Sequence, residues 1–301
     1  MEIKDLLIFQ SVAKNGSISK AADELSYVQS HVTARIKSLE TKLNTQLFHR
    51  HSRGTTLNSE GKMLLNYSEK IIHMVNEMEK AIKDPDIPSG ILEIGTVETV
   101  IKLPIILSNY HRNYPNVDLS LITGVTKELI DQLLKRKLDG AFVTGFESHP
   151  NIDKVDVFQE NLVLISSNEK TSFDDLKQKP LLVFNLGCNY RARLEDWLKH
   201  EGVINSKVLE FGTLETILGS VISGLGISLV PQSTVRQLEL DGIIQCHEIP
   251  DKYSRISTSF IRRSDAYMTN TMNKFIETIN KFTDVVYPPL VKPIFRAYHE
   301  Q

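Results

Sequence analysis

Two groups of side chains in this 301-residue chain have types and spacings that could do chemistry. The first lies between residues 29 and 53. Gln29 carries an amide that can bond an adenine edge through two hydrogen bonds, and Ser30 and Thr33 can donate, accept or touch a thymine methyl group. Arg35, Lys37, Arg50 and Arg53 are cations of the kind that sit on phosphate. The alternative for each is an ordinary solvated side chain, and taken alone Lys37 and Arg53 favour that alternative. The second group stands where apolar runs give way to helical patterns. Thr96, Thr99, Thr123 and Thr144 close short strand-like runs and can offer hydroxyls beside backbone N–H donors. Asn185, Cys188 and Thr213 open later helical stretches in the same manner. Arg191 has the planar fork that pairs with a carboxylate, although a bridge to Glu195 one turn on would occupy it equally well. Glu98, in the same neighbourhood, disfavours an anion unless it points away.

Enzyme motifs are missing. There is no Gly-x-Ser-x-Gly elbow, Walker loop, Cys-x-x-Cys pair or His-Glu-x-x-His spacing. Gly224-Leu225-Gly226 follows a helical pattern and precedes a strand, the reverse of a dinucleotide fingerprint. His49 and His51 have no acidic or cysteine companions nearby, so no metal and no cofactor is expected. Cys188 and Cys246 are too few for a disulfide scaffold and suit a reducing cytosol. Met1–Asp5 shows no secretory signal, and no apolar run approaches the roughly 18 residues of a membrane-spanning helix. The expected location is therefore cytoplasmic, with no membrane partner.

The net charge of −2 seems to argue against a nucleic-acid partner, but its distribution says otherwise. Residues 1–58 hold eight Lys/Arg against five Asp/Glu, a net +3, which leaves −5 for the rest. In that basic segment Leu6, Phe9, Val12 and Ala13 fall at helical spacing up to the Asn15-Gly16 turn. Ser17 is a candidate N-cap for a second helix, Ile18–Leu25. A third runs from about Gln29 to Leu43, with Val32, Ile36, Leu39 and Leu43 on one face. At about 100° per residue, Ser30, Thr33, Ala34 and Lys37 face the other way, and Arg35 lies about 60° from the apolar axis. A helix-turn-helix and a generic three-helix bundle fit this periodicity alike. The residues after the third helix favour the former: Leu47-Phe48, a basic tip through His49, Arg50, His51, Arg53 and Gly54, then Thr55-Thr56-Leu57 make a hairpin wing.

These residues carry a specific family resemblance. Leu6-x-x-Phe9-x-x-Val12-Ala13, Gly16-Ser17, Lys20-Ala21-Ala22, Leu25, Gln29-Ser30, Val32-Thr33, Ile36, Leu39-Glu40, Leu43, Leu47-Phe48-x-Arg50 and Leu57 resemble the N-terminal domain of LysR-type transcriptional regulators, without gaps over about 60 residues. The chain departs from the family pattern at Val28, where Ser or Thr is usual, at Asn44, where Gly is usual, and at Ala34, where Arg is common. The resemblance implies double-stranded operator DNA as partner and favours DNA contact by Gln29, Ser30, Thr33 and Arg50. It leaves Arg35, Lys37 and Arg53 open.

A long helix is expected from about Asn58 to Lys83. Leu64, Tyr67, Ile71, Met74, Met78 and Ala81 form an a/d seam under three heptads long. A solitary helix cannot bury such a stripe, so pairing with a second copy is favoured; in the resembled family this helix dimerises. Asp84–Gly90, with two prolines, marks a hinge. Beyond it strands and helices alternate: strands Ile91–Val97, Val117–Thr123 and Gly140–Thr144, helices Leu103–Asn113 and Lys127–Lys137, then a second set from Leu162 to Phe282. This implies an α/β fold with mostly parallel sheets in two subdomains. Leu103-Pro104, Tyr114-Pro115, Leu138-Asp139-Gly140 and Gly224-Leu225-Gly226-Ile227-x-Leu229-x-Pro231 resemble the family's effector-binding domain, which has the fold of periplasmic solute-binding proteins.

The expected organisation is thus a winged helix-turn-helix over 1–58, a linker helix and hinge over 59–89, and an effector-binding domain over 90–301. Within the last, subdomain I spans about 90–161 and 267–287, and subdomain II about 162–266; the tail 288–301 matches nothing. The resemblance implies a dimer through the linker helix, a tetramer through the effector domains, a small-molecule effector between the subdomains, and RNA polymerase as a further candidate partner. Cys188, at a helix N-terminus beside Arg191, could have a lowered thiol pKa. One family branch senses peroxide through a cysteine in this region, but the missing partner cysteine ranks that role below ligand contact or packing. The rival reading is a solute-binding or enzymatic α/β domain whose N-terminal helices make protein contacts only.

Overall fold

Apolar stripes draw the first helices together. The computed structural model describes residues 1–51, 54–169, 171–203 and 207–282, and the chain divides after Lys83 into two units. Arg53 and the tail from 288 onward lie outside the described residues. In the first unit α1 (Ile3–Asn15), α2 (Ile18–Glu24) and α3 (Gln29–Leu43) are followed by β1 (Phe48–His51), β2 (Gly54–Leu57) and α4 (Ser59–Ile82). Phe9, Val12, Ala21, Ala22, Val32, Ile36, Leu39 and Phe48 close one core. The two alanines let α2 sit close.

Local chemistry sets each turn. Gly16 ends α1 in the left-handed region at φ 59°, and Ser17 caps α2 by accepting the Lys20 N–H. The Gly16 carbonyl accepts the Thr55 N–H at 2.8 Å, which ties the wing to this turn. A Cβ on Gly54 would lie 2.4 Å from that same carbonyl oxygen, so only glycine fits there. Asn44 ends α3 at φ 50°, supplying the left-handed residue for which the family uses glycine. Val28, at the start of α3, gives no side-chain cap.

The α4 helix is 24 residues long, with Asn58 accepting the Gly61 N–H as its cap. Leu64 and Leu65 pack onto the first core, and Gln10 donates to Ser68 Oγ at 3.1 Å. The outward stripe is Met63, Tyr67, Ile71, Met74, Met78 and Ile82, all exposed. The expected seam is therefore corrected at both ends, from Leu64 to Met63 and from Ala81 to Ile82, because Leu64 turns toward the helical core.

The second unit begins with β3 (Gly90–Thr96), α5 (Leu103–Asn113), β4 (Val117–Thr123), α6 (Thr126–Leu134) and β5 (Gly140–Thr144). The 16-residue β6 (Ile152–Ser167) follows. Then come α7 (Phe173–Leu176), β7 (Leu181–Val183), α8 (Asn189–His200), β8 (Val208–Glu210), α9 (Leu214–Ile222), β9 (Ser228–Pro231) and α10 (Gln232–Leu240). The run closes with β10 (Ile244–His247), α11 (Asp251–Ser254), β11 (Arg255–Arg263) and α12 (Asn270–Asn280). The main sheet has the order β10-β6-β11-β5-β3-β4, with β9 also on β6.

Two apolar cores form in this unit. One gathers Ile94, Ile106, Leu129, Phe142, Phe158, Phe260 and Phe275; the other gathers Leu164, Leu182, Leu194, Trp197, Ile217, Val230 and Ile256. Both β6 and β11 run through both cores. The expectation of mostly parallel sheets is corrected here. β3–β4, β3–β5 and β7–β8 are parallel, but β6 pairs antiparallel with β11, β9 and β10. The sequence pattern opens the second set of elements only at Leu162, ten residues after β6 begins at Ile152. The first half of β6, residues 152–161, mixes Asp153, Lys154, Asp156 and Glu160 among apolar residues, which hides the longer crossing strand.

Candidate nucleic-acid interface and ligand cleft

The polar face of α3 is built by its burial pattern. Val32, Ile36 and Leu39 go inward, which leaves Gln29, Ser30, His31 and Lys37 exposed. Gln29 is the first residue of the helix, and its carbonyl accepts the Thr33 hydroxyl at 2.9 Å. The expectation for Arg35 is corrected. Its guanidinium pairs with Glu2 at 2.8 Å and with the buried Asp5 at 2.5 Å, so it braces α1 and does not project from α3. Asp5 also accepts the Glu2 N–H at 2.7 Å. Arg50 lies in β1 with its backbone opposite Thr55.

In the second unit, strand ends and helix starts meet around a cavity of about 180 Å³. Val97, Glu98 and Thr99 after β3, Thr123, Gly124 and Val125 after β4, Glu128 of α6, and Thr144 of β5 form one wall. Phe184, Asn185, Cys188, Tyr190 and Gly212 form the other. The walls are tied together by hydrogen bonds. Thr99 and Tyr190 share a hydroxyl bond of 2.6 Å, and Asn189 donates to the Thr144 carbonyl. Lys127 N donates to the Gly187 carbonyl at 3.3 Å, and Leu214 N donates to Glu98 Oε2 at 2.5 Å. Gly187, at φ 100°, would place a Cβ 2.7 Å from that of Lys127, so the close approach of the walls requires it.

Five residues singled out in the sequence line this cavity: Thr99, Thr123, Thr144, Asn185 and Cys188. Three lie off it. Thr96 is buried and donates to the Val97 carbonyl at 2.9 Å. Thr213 caps α9 by accepting the Thr216 N–H at 3.3 Å. Arg191 pairs with Glu195 at 2.8 Å and Glu210 at 2.9 Å, so the competing salt bridge holds it. The lowered thiol pKa expected of Cys188 is also corrected. Burial pushes the thiol up, and the backbone N–H groups of Arg191 and Tyr190 at the sulfur only partly offset it. Tyr190, Phe184 and Glu128 are cavity residues that sequence reasoning misses. Two aromatics beside core-like runs read as packing, and a glutamate in the first turn of α6 reads as helix-terminus charge.

Residues 3–62 match the family described as bacterial regulatory helix-turn-helix protein, lysR family, and residues 86–283 match the LysR substrate binding domain. The chain belongs to the LysR family: it is a DNA-binding transcriptional regulator with an effector-binding domain, and its relatives are named as regulators, not enzymes. Among them is HTH-type transcriptional regulator SoxR of Arthrobacter sp. (strain TE1826), 62% identical over 279 residues, covering 93% of this chain and 96% of the relative. HTH-type transcriptional regulator CzcR of Bacillus subtilis (strain 168) is 52% identical, covering 93% and 97%. Among solved structures, full-length CbnR complexed with its target DNA aligns with a TM-score of 0.68 at 22% identity, over 94% of this chain and 100% of that one. A full-length OxyR variant from Pseudomonas aeruginosa aligns at 0.66 and 20% identity, over 94% of each chain. At such identities these two structures speak for the fold alone.

Proposed function

We propose that the chain acts in the cytoplasm as a dimer of dimers on an inverted-repeat operator, with α3 in the major groove and the wing on phosphate. The exposed polar face of α3, backed by its buried apolar face, supports this reading. In it Gln29, Ser30 and Thr33 read bases, and Lys37, Arg50 and Arg53 hold the backbone. Two copies join along the α4 stripe, which no residue of its own helix can cover. A small effector occupies the cleft and shifts the balance between arrangements of the oligomer, to the extent that it binds one better than the other. The changed arrangement alters how the DNA is bent, and RNA polymerase is a candidate downstream partner. Among the described residues, no helix is long and apolar enough to cross a membrane.

A salt-dependent gel shift on the upstream intergenic DNA tests this. Gln29→Ala is expected to cost about 1–3 kcal/mol of operator affinity. Binding that ignores sequence at moderate salt would sink the proposal; unchanged binding by the variant would remove Gln29 from the readout.

A further inference from the structure

Resting on the reading of the cleft as the effector site, we propose that its ligand is a small organic cation, an ammonium-bearing molecule whose remainder is uncharged. An anion in such a cleft is ordinarily held by helix N-termini or by a guanidinium. Here the protein's own acceptors already take one amide at each of two helix starts and the guanidinium. The first amide of α9, Leu214 N, donates to Glu98 Oε2 at 2.5 Å, so a native carboxylate stands where an anionic ligand would dock. In the first turn of α6, Lys127 N donates to the Gly187 carbonyl at 3.3 Å. Arg191 is off the cavity wall, held by Glu195 and Glu210.

The side chains that face the cavity have the opposite preference. Among the described residues its lining contains two carboxylates, Glu98 and Glu128, and no lysine or arginine. Phe184 and Tyr190 add aromatic rings 6.4 Å apart between centroids. A cleft lined by carboxylates with no lysine or arginine in its wall favours a positively charged ligand. Aromatic rings attract an ammonium group through their quadrupole. A metal ion fits poorly, since no group of three or more metal-ligating side chains occurs among the described residues. Size narrows the class further. An apolar cavity of about 150 Å³ holds benzene, so about 180 Å³ suits a ligand of roughly six to ten heavy atoms.

The test uses the full chain and follows amide exchange and thermal midpoint with millimolar choline, benzylamine, benzyl alcohol, benzoate and zinc ion. Choline and benzylamine are expected to raise the midpoint and slow exchange over 96–101, 123–128 and 184–190, while benzyl alcohol and benzoate do not. Glu128→Gln, on an exposed side chain, is expected to weaken the ammonium probes about tenfold without unfolding the chain. Protection of the same segments by benzoate or zinc instead, or an unchanged ammonium affinity in Glu128→Gln, would overturn the charge class while leaving the cleft as the effector site. Silence from every probe would overturn it too. Protection confined to other segments would instead defeat the reading of the cleft itself.

Discussion

Replacing Tyr190 with Phe isolates a single bond across the cleft. The Tyr190 ring is buried against Phe184, and phenylalanine keeps that packing. Only the hydroxyl is lost, and with it the 2.6 Å bond to Thr99 Oγ1. Burial pushes the phenol pKa well up, so it stays protonated at all working pH values and can donate. The bond itself is worth about 0.5–1.5 kcal/mol net, but Thr99 is only 4% exposed and loses its partner. Stranding a buried hydroxyl raises the expected cost of Tyr190→Phe to about 1–3 kcal/mol. For a unit of this size that is a fall in thermal midpoint of roughly 2–12 °C. Thr99→Val removes the other half of the same bond and strands the buried phenol, at a similar expected cost of about 1–3 kcal/mol. The double variant strands neither hydroxyl against the other, so its cost should fall short of the sum by about 1 kcal/mol. Urea unfolding of the four proteins measures this. A Tyr190→Phe chain as stable as the parent, with strictly additive double-variant costs, would refute the claim that this bond holds the walls together.

Three further outcomes are expected. Val28→Ser supplies the cap that α3 lacks and should stabilise the first unit by about 1 kcal/mol, read by chemical denaturation. Met74→Lys puts a cation in the middle of the exposed α4 stripe and should shift the chain toward monomer in sedimentation equilibrium, with the helix content unchanged. Glu24 is held at a pKa of about 2, below its ordinary 4.5, by Lys14 first, then Ser11 and Asn15. Its stabilising contribution is therefore present above about 4.5 and lost as pH falls toward 2. Glu24→Gln should flatten the acid-unfolding curve in that window; an unchanged curve would show that the carboxylate network contributes nothing.

The sequence is most legible where periodicity and turn chemistry agree. Helix α3, strand β4, strand β5 and helix α5 can be read to the residue, because each combines an apolar face with a clear stop. The face of α3 is legible too, since Val32, Ile36 and Leu39 fix which way Gln29 and Ser30 turn. Arg35 misleads because its partners, Glu2 and Asp5, are distant in sequence and no local pattern pairs them. The cleft is legible as a place and poorly legible in content. Strand ends point to Thr99, Thr123 and Thr144, but whether Arg191 faces a ligand or Glu210 depends on tertiary packing. Crossing strands such as β6 are the hardest case, since one face changes core midway and the alternation breaks.

The interleaving of the two cores also has a bearing on how the chain folds as it is made. Residues 162–256 of one core leave the ribosome in a single run, so that core can close as soon as they emerge. The other must wait. Phe142 packs on Phe260 at 5.0 Å between centroids, and a Cβ on Gly140 would strike the Phe260 ring at 2.2 Å, so β5 is shaped for a partner not yet synthesised. At about 5–20 residues per second, the intervening segment takes on the order of 6–24 s to appear. During that interval β5 lacks its β11 partner and the early strands lack part of the core that covers them, the kind of exposure that makes partly folded chains prone to aggregate.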